Sequence, residues 1–243
     1  MIRRALREFI ISCFHVTSLI MRQRPHLKGS EHLKKIPTPF IISPTHDSYY
    51  EIPSLSRVYY SLKPRPDFMV LAKEDFLSGR YLASNFGKKS LLLKCLFTFL
   101  DKTALPFIVF KIMRLTTIHR PFIDTYAKKR EQIRSEIGNQ INRARESISR
   151  GLSTLVFPEG TTWGFGGLKK IRSAVYQLVE NTFQSAQQKV HVIPINVKVD
   201  RLVKGGKDIF INIGSPVFFR CPKDEFNERL AGLLRQLHTI TFS

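Results

Sequence analysis

Apolar residues along the 243-residue chain gather either into short unbroken runs or into longer stretches where they recur every three or four positions. Runs rich in β-branched and aromatic residues predict strands, and three-to-four spacing predicts helices. The predicted strands are Pro39–Ser43, Phe68–Ala72, Thr116–His119, Thr154–Phe157, Val190–Val197 and Asp208–Ile213. The clearest predicted helix is Tyr126–Arg150, in which Ile133, Ile137, Ile141 and Ile148 make one apolar stripe and Gly151 can supply a left-handed stop. Its basic residues read as a solvated face, with lipid headgroup contact as the alternative. A last helix starts near Asp224, with Phe226, Leu230, Leu233, Leu234 and Leu237 on one face. The alternation predicts an α/β fold, a mixed central β-sheet flanked by helices. No internal repeat or long linker interrupts it, so residues 27–243 are expected to form one domain behind an N-terminal segment of residues 1–26.

That segment has its own pattern. Ile2, Leu6, Phe9, Cys13 and Phe14 recur at helical spacing, and Arg3, Arg4 and Arg7 crowd the start. A signal peptide also has a basic start and an apolar core. Here Glu8 and His15 interrupt the core, no small-residue cleavage site follows, and more Arg comes next. The apolar core Phe9–Met21 has 13 residues, short of the ~20 that a spanning helix needs. The expectation is an amphipathic, membrane-associating helix lying in the interface on the cytoplasmic face; a surface helix capping the core is the plainer alternative. A second greasy stretch, Leu91–Met113, is broken by Lys94, Asp101, Lys102, Pro106 and Lys111, which argues against a span there.

Composition narrows the field. Apolar residues make up 43% and aromatics 11% of the chain, which excludes a disordered or low-complexity protein. Lys and Arg number 39 against 19 Asp and Glu, a net charge of +20. Such a field draws polyanions: nucleic acid, an anionic membrane face or phosphorylated substrates. The three cysteines, Cys13, Cys95 and Cys221, are far apart and form no C-x-x-C, so neither a zinc knuckle nor a disulfide scaffold is expected. A nucleic-acid module would rest on charge alone, since no RNP, zinc-finger or helix-turn-helix signature accompanies it.

Three groups of residues can carry chemistry. In the first, His46 leaves a predicted strand for a loop, a suitable place for a general base, and Glu51 follows five residues later. A carboxylate at that spacing can reach the second ring nitrogen once the loop turns back, fixing the tautomer and stabilising an imidazolium. A competing reading makes Ser48-x-x-Glu51 a capping box, although Pro53 moves the helix start towards Glu51 or Ile52. Asp47 is a competing partner, but adjacent residues of an extended chain point opposite ways. The second group is Phe157-Pro158-Glu159-Gly160-Thr161, a carboxylate in a tight turn at a strand end, where open α/β sheets bind ligands. It is followed by glycines but matches neither a P-loop nor a dinucleotide fingerprint; an ordinary turn is the plain alternative. The third is basic: His119-Arg120, and Lys169, Lys170 and Arg172, offering phosphate contacts or simple surface charge. No G-x-S-x-G or H-E-x-x-H is present. His191, in an apolar strand, reads as a core histidine.

Taken in order, these pieces resemble the glycerolipid (lysophospholipid) acyltransferase family, typified by 1-acyl-glycerol-3-phosphate acyltransferases. The family's H-x-x-x-x-D is matched by His46 with Glu51 in the acid's place, and its second block by Ala104–Phe107 and Ile118-His119-Arg120. Its F-P-E-G-T-R is matched by Phe157–Thr161, with Thr162 where Arg is usual, and its apolar fourth block by Ile193-Pro194-Ile195. Gly214-Ser215-Pro216 resembles the last strand ending, so the likeness runs from about Lys35 to Phe219. The resemblance implies an O-acyltransferase with no cofactor beyond an acyl thioester co-substrate, carried on coenzyme A or acyl carrier protein. The acceptor it implies is a lysophospholipid, first of all 1-acyl-glycerol-3-phosphate giving phosphatidic acid. His46 and Glu51 would be catalytic. Arg120, Glu159, Gly160, Thr161, Lys169 and Arg172 would form the acceptor site. An anionic membrane surface is the implied partner; nucleic acid and metal are not. The missing Arg at position 162 leaves other headgroups open, and with Glu51 it also leaves open an inactive, lipid-binding relative.

Overall fold

A computed structural model describes residues 2–46, 51–73, 95, 98–99, 102–103, 108, 115–118, 129–160, 168, 170–200 and 207–240. The chain packs as two units, Met1–Phe68 with Arg145–Ser243, and Met69–Ala144. The first holds helix α1 (Ile2–Ile20), strand β1 (Gln23–Lys28), β2 (Phe40–Pro44), helix α2 (Ser56–Ser61), β5 (Ser153–Leu155), helix α4 (Ala174–Ala186), β6 (His191–Asp200), β7 (Lys207–Ile213) and helix α5 (Lys223–Thr239). Strand β3 (Phe68–Lys73) begins at its boundary and pairs in parallel with β4 (Leu115–Ile118). Helix α3 (Lys129–Ser149) leads the chain from the second unit back to the first.

Five strands of the first unit run in the order β1-β7-β6-β2-β5. β1 is parallel to β7, β7 antiparallel to β6, and β6 and β5 both parallel to β2. The sheet is mixed, as the sequence predicts, and α5 packs on β6 and β7 through Phe226, Leu230, Leu234 and Leu237. β2 is buried at every position, which is why Phe-Ile-Ile reads as an unbroken apolar run. α3 stops where Gly151 takes a φ of +88°, with Gly151 N–H donating to Ile148 and Leu152 N–H to Ser147. These two bonds close a Schellman turn and satisfy the last carbonyls of the helix.

One departure from the sequence reading matters. The boundary placed after residue 26 falls inside β1: the helix ends at Ile20 and the sheet begins at Gln23. β1 carries Pro25 and three exposed polar side chains, a composition that only an edge strand tolerates. α1 is helical as expected, and its orientation is set by polar groups. Its inward stripe is Arg7, Ile11 and Ser18, and it binds the rest of the unit with polar groups. Arg7 donates to Asp67 at 2.8 Å, Tyr59 donates to Glu8 at 2.6 Å, and Ser12 meets Tyr60 at 2.9 Å. Burial, reinforced by the Glu8 hydrogen bond, pushes the Tyr59 hydroxyl up to about 12. Apolar side chains face outward: Phe9 is 66% and Ile20 76% exposed, with Val16 and Leu19 also exposed. No described helix is long and apolar enough to cross a membrane.

Candidate active site

The site begins at the C-terminal end of β2, a strand with neighbours on both sides. Beyond Pro44 the pairing continues for one more residue. Thr45 N–H donates to Ile195 O at 2.8 Å, and the Thr45 hydroxyl accepts from Val197 N–H at 2.8 Å and donates to Val197 O at 3.3 Å. A side-chain hydroxyl here does the work of a peptide group. It anchors the strand end to β6 and fixes where the next residue, His46, leaves the sheet.

His46 is buried, and its Nδ1 lies 2.6 Å from Glu51 Oε1; Glu51 has no exposed surface. An ionised carboxylate only accepts, so in a bond to it the ring donates from Nδ1–H. Glu51 stands just ahead of a 3-10 turn over Pro53–Leu55, with proline in its first positions. The expected helix start near Glu51 or Ile52 is therefore found, while the Glu51 carboxylate itself goes to the histidine.

The second wall is the Phe157–Gly160 turn. Val156 N–H donates to Ile42 O at 2.9 Å, carrying the strand edge beside β2 one residue past β5. The Phe157 ring then lies 4.3 Å from that of His46, tilted by 32°. Gly160 N–H donates to Phe157 O at 3.0 Å and Gly160 takes a φ of +64°, a left-handed conformation that suits glycine at the end of a tight turn. Within the turn Glu159 is buried. Arg172 N–H donates to Pro158 O at 2.8 Å, so the backbone at Arg172 is tied to the same turn, with its side chain exposed. Lys170 is exposed as well.

Of the residues expected from sequence, His46 and Glu51 meet directly, and Glu159 and Gly160 belong to the turn whose Phe157 covers the imidazole. Arg120, Thr161 and Lys169 lie outside the described residues, as do Asp47, Ser48 and Thr162. Phe157 and Thr45 were not anticipated as site residues. Phe157 stood inside the quoted block, and its place beside the proline turn was the available signal. Thr45 gave none beyond adjacency to His46.

The arrangement is an imidazole bonded at Nδ1 to a buried carboxylate, covered by an aromatic ring, next to a turn bearing a second carboxylate. It can take a proton from an incoming hydroxyl or amine and return it to a leaving group.

Comparison with known proteins is in keeping with this chemistry. A sequence model of the acyltransferase family matches residues 24–198, a span holding every residue of the site described above. No curated protein sequence matches the chain. Among solved structures, the crystal structure of the 1-acyl-sn-glycerophosphate (LPA) acyltransferase PlsC from Thermotoga maritima is similar, with a TM-score of 0.62 over 99% of this chain and 84% of that one. Sequence identity is 16%, so this second likeness is one of fold.

Proposed function

The chain belongs to the acyltransferase family, and we propose that it transfers a fatty acyl group from an acyl thioester to the free hydroxyl of a lysophospholipid, 1-acyl-glycerol-3-phosphate before others. The observation that carries this reading is the buried His46–Glu51 pair at the end of a central strand, roofed by Phe157. His46 Nε2 takes the proton as the acceptor oxygen attacks the thioester carbonyl. The tetrahedral intermediate collapses, the C–S bond breaks, and the imidazolium returns the proton to the departing thiolate. Glu51 holds the ring and stabilises its transient charge. No acyl-enzyme forms, and no cofactor beyond the thioester enters. Arg120, Lys169 and Arg172 are assigned to the acceptor phosphate, and Glu159, Gly160 and Thr161 to the shape of its pocket.

We assign the reaction to a membrane surface, a reading that α1 supports. A helix of a water-soluble domain turns its apolar stripe inward. Here the polar stripe is bonded to the protein and Phe9, Val16, Leu19 and Ile20 point away from it. With a net charge of +20, that outward face suits an anionic interface on the cytoplasmic side. A lysolipid panel offered with acyl-coenzyme A or acyl carrier protein, read by mass spectrometry, tests the assignment. Phosphatidic acid from lysophosphatidate is the expected product. Absence of acyl ester from every lysolipid overturns the reading, and a preferred second headgroup redirects it.

A further inference from the structure

Between α1 and the turn behind Glu51 lies a small polar chain that the mechanism above does not use. Ser54 is fully buried and its hydroxyl donates to Gln23 Oε1 at 2.7 Å. That bond consumes the one proton of the Ser54 hydroxyl. Ser18 of α1, 3.3 Å away, must then be the donor to Ser54 Oγ. Ser18 is 1% and Gln23 3% exposed, so no bulk water competes. Arg22, in a left-handed conformation with φ of 53°, reverses the chain between Ser18 and Gln23 so that both reach the same hydroxyl. Ser54 sits three residues after Glu51, inside the 3-10 turn that Leu55 N–H closes on Ile52 O at 3.1 Å. The turn is tied again where Ser56 Oγ donates to Pro53 O at 2.6 Å.

We propose that Ser54 is a positioning residue for the Glu51–His46 pair, and that through Ser18 it makes turnover depend on how α1 is seated. This rests on the reading of His46 and Glu51 as the catalytic pair. A turn of a few residues moves nearly as a rigid piece, so the bond at Ser54 sets where the Glu51 carboxylate stands. Catalysis is sensitive to displacements of about 1 Å, which cost up to ~100-fold. α1 carries the outward apolar face, so a change in its seating reaches the base through Ser18, Ser54 and the turn.

The test is a double-mutant cycle on the full chain, followed with soluble acyl thioester and lysolipid. Ser54→Ala is expected to lower kcat about tenfold with KM nearly unchanged, the signature of an interaction made in the transition state. Ser18→Ala should lower it about threefold, the worth of one net hydrogen bond. Placed in a Glu51→Gln background, Ser54→Ala should cost no more than twofold further, because the carboxylate it positions is gone. If Ser54→Ala costs the same factor in both backgrounds, or alters KM alone, Ser54 supports the fold and the proposal fails. If Glu51→Gln by itself leaves turnover at the wild-type rate, the catalytic reading of the pair fails instead, and the proposal with it. A Ser54→Ala protein that does not fold is replaced in the same cycle by Gln23→Met, which removes the acceptor at the other end of the bond and has the same expected outcomes.

Discussion

His46 and His26 each hold a carboxylate at hydrogen-bond distance, Nδ1 to Glu51 at 2.6 Å and Nε2 to Asp208 at 2.8 Å. Both pairs belong to the same unit, and each ring lies against a phenylalanine, Phe157 or Phe210. Their surroundings differ. Side-chain exposure is 7% and 0% for His46 and Glu51, against 45% and 14% for His26 and Asp208. Asp208 is also shared with Arg24 at 3.0 Å. The ring nitrogens are used differently too: the carboxylate is met by Nδ1 in His46 and by Nε2 in His26. A short His–carboxylate distance is thus no sign of a base. Burial is what separates the two pairs, because the same interaction is stronger where water is excluded.

That contrast gives the largest expected effects. His46→Ala should lower kcat by about 10³-fold, within the range of a general base, with the far-ultraviolet circular dichroism unchanged. Glu51→Gln keeps the size and loses the charge; about 10²-fold is expected, mostly in kcat, as the imidazolium loses its support. Glu51→Asp is the sharper probe. Aspartate is usual in the family, yet here Glu51 Oε1 stands 2.6 Å from Nδ1, so the shorter side chain on the same backbone should draw back from the ring and cost about tenfold. Steady-state rates of the three variants give the order; an aspartate variant at or above the wild-type rate would show that the turn adapts freely. His26→Ala should change turnover less than twofold and stability by only about 0.5 kcal/mol, as expected of a largely exposed ion pair. A large loss of activity on removing His26 would break the comparison outright.

The two pairs also show what was legible in the sequence. His46 and Glu51 were found because five residues separate them at the end of a strand whose apolar run is unmistakable. β2 and β6 announce themselves because buried strands need apolar side chains on both faces. His26 and Asp208 lie 182 positions apart, and no local pattern links them. β1 was missed because Arg24, Pro25 and Lys28 look like a loop; only its place at the sheet edge makes them tolerable. α4 left a signal in Val175, Leu178, Val179 and Thr182, all buried, but ended at Gln187 in a left-handed conformation and not at a glycine. The spacing in α1 gave a helix without telling which face turns inward. That choice was made by Asp67 and Ser54, 60 and 36 residues away from their partners on the helix. Periodicity reports where apolar groups repeat, and distant polar partners decide what is done with them.

A third histidine, His191 at the start of β6, sharpens the contrast from the other side. The ring of Phe218 lies near it, with ring centroids 6.2 Å apart. Burial holds its imidazole below the ordinary value, and the positive charge of Lys189 adds to the fall. The folded protein therefore prefers the neutral ring. An unfolded chain titrates its histidine near about 6.5, and below that pH it takes up a proton that the folded state resists. The contribution to stability is thus complete above about 6.5 and is lost as pH descends towards the lower folded value. His191→Gln cannot charge and should remove this part of the acid sensitivity. Thermal unfolding measured at about pH 7.5 and about pH 5 should show a smaller drop in Tm for the variant than for the wild type, by a degree or two, about what a few tenths of a kcal/mol produce in a chain of this size. Acyl transfer should be unaffected at either pH, because β6 meets the site through Ile195 and Val197 and not through its first residue. Equal drops would mean that the ring stays neutral for a reason other than burial, and the distinction between a histidine supported by a carboxylate and one left without it would lose its smallest but cleanest instance.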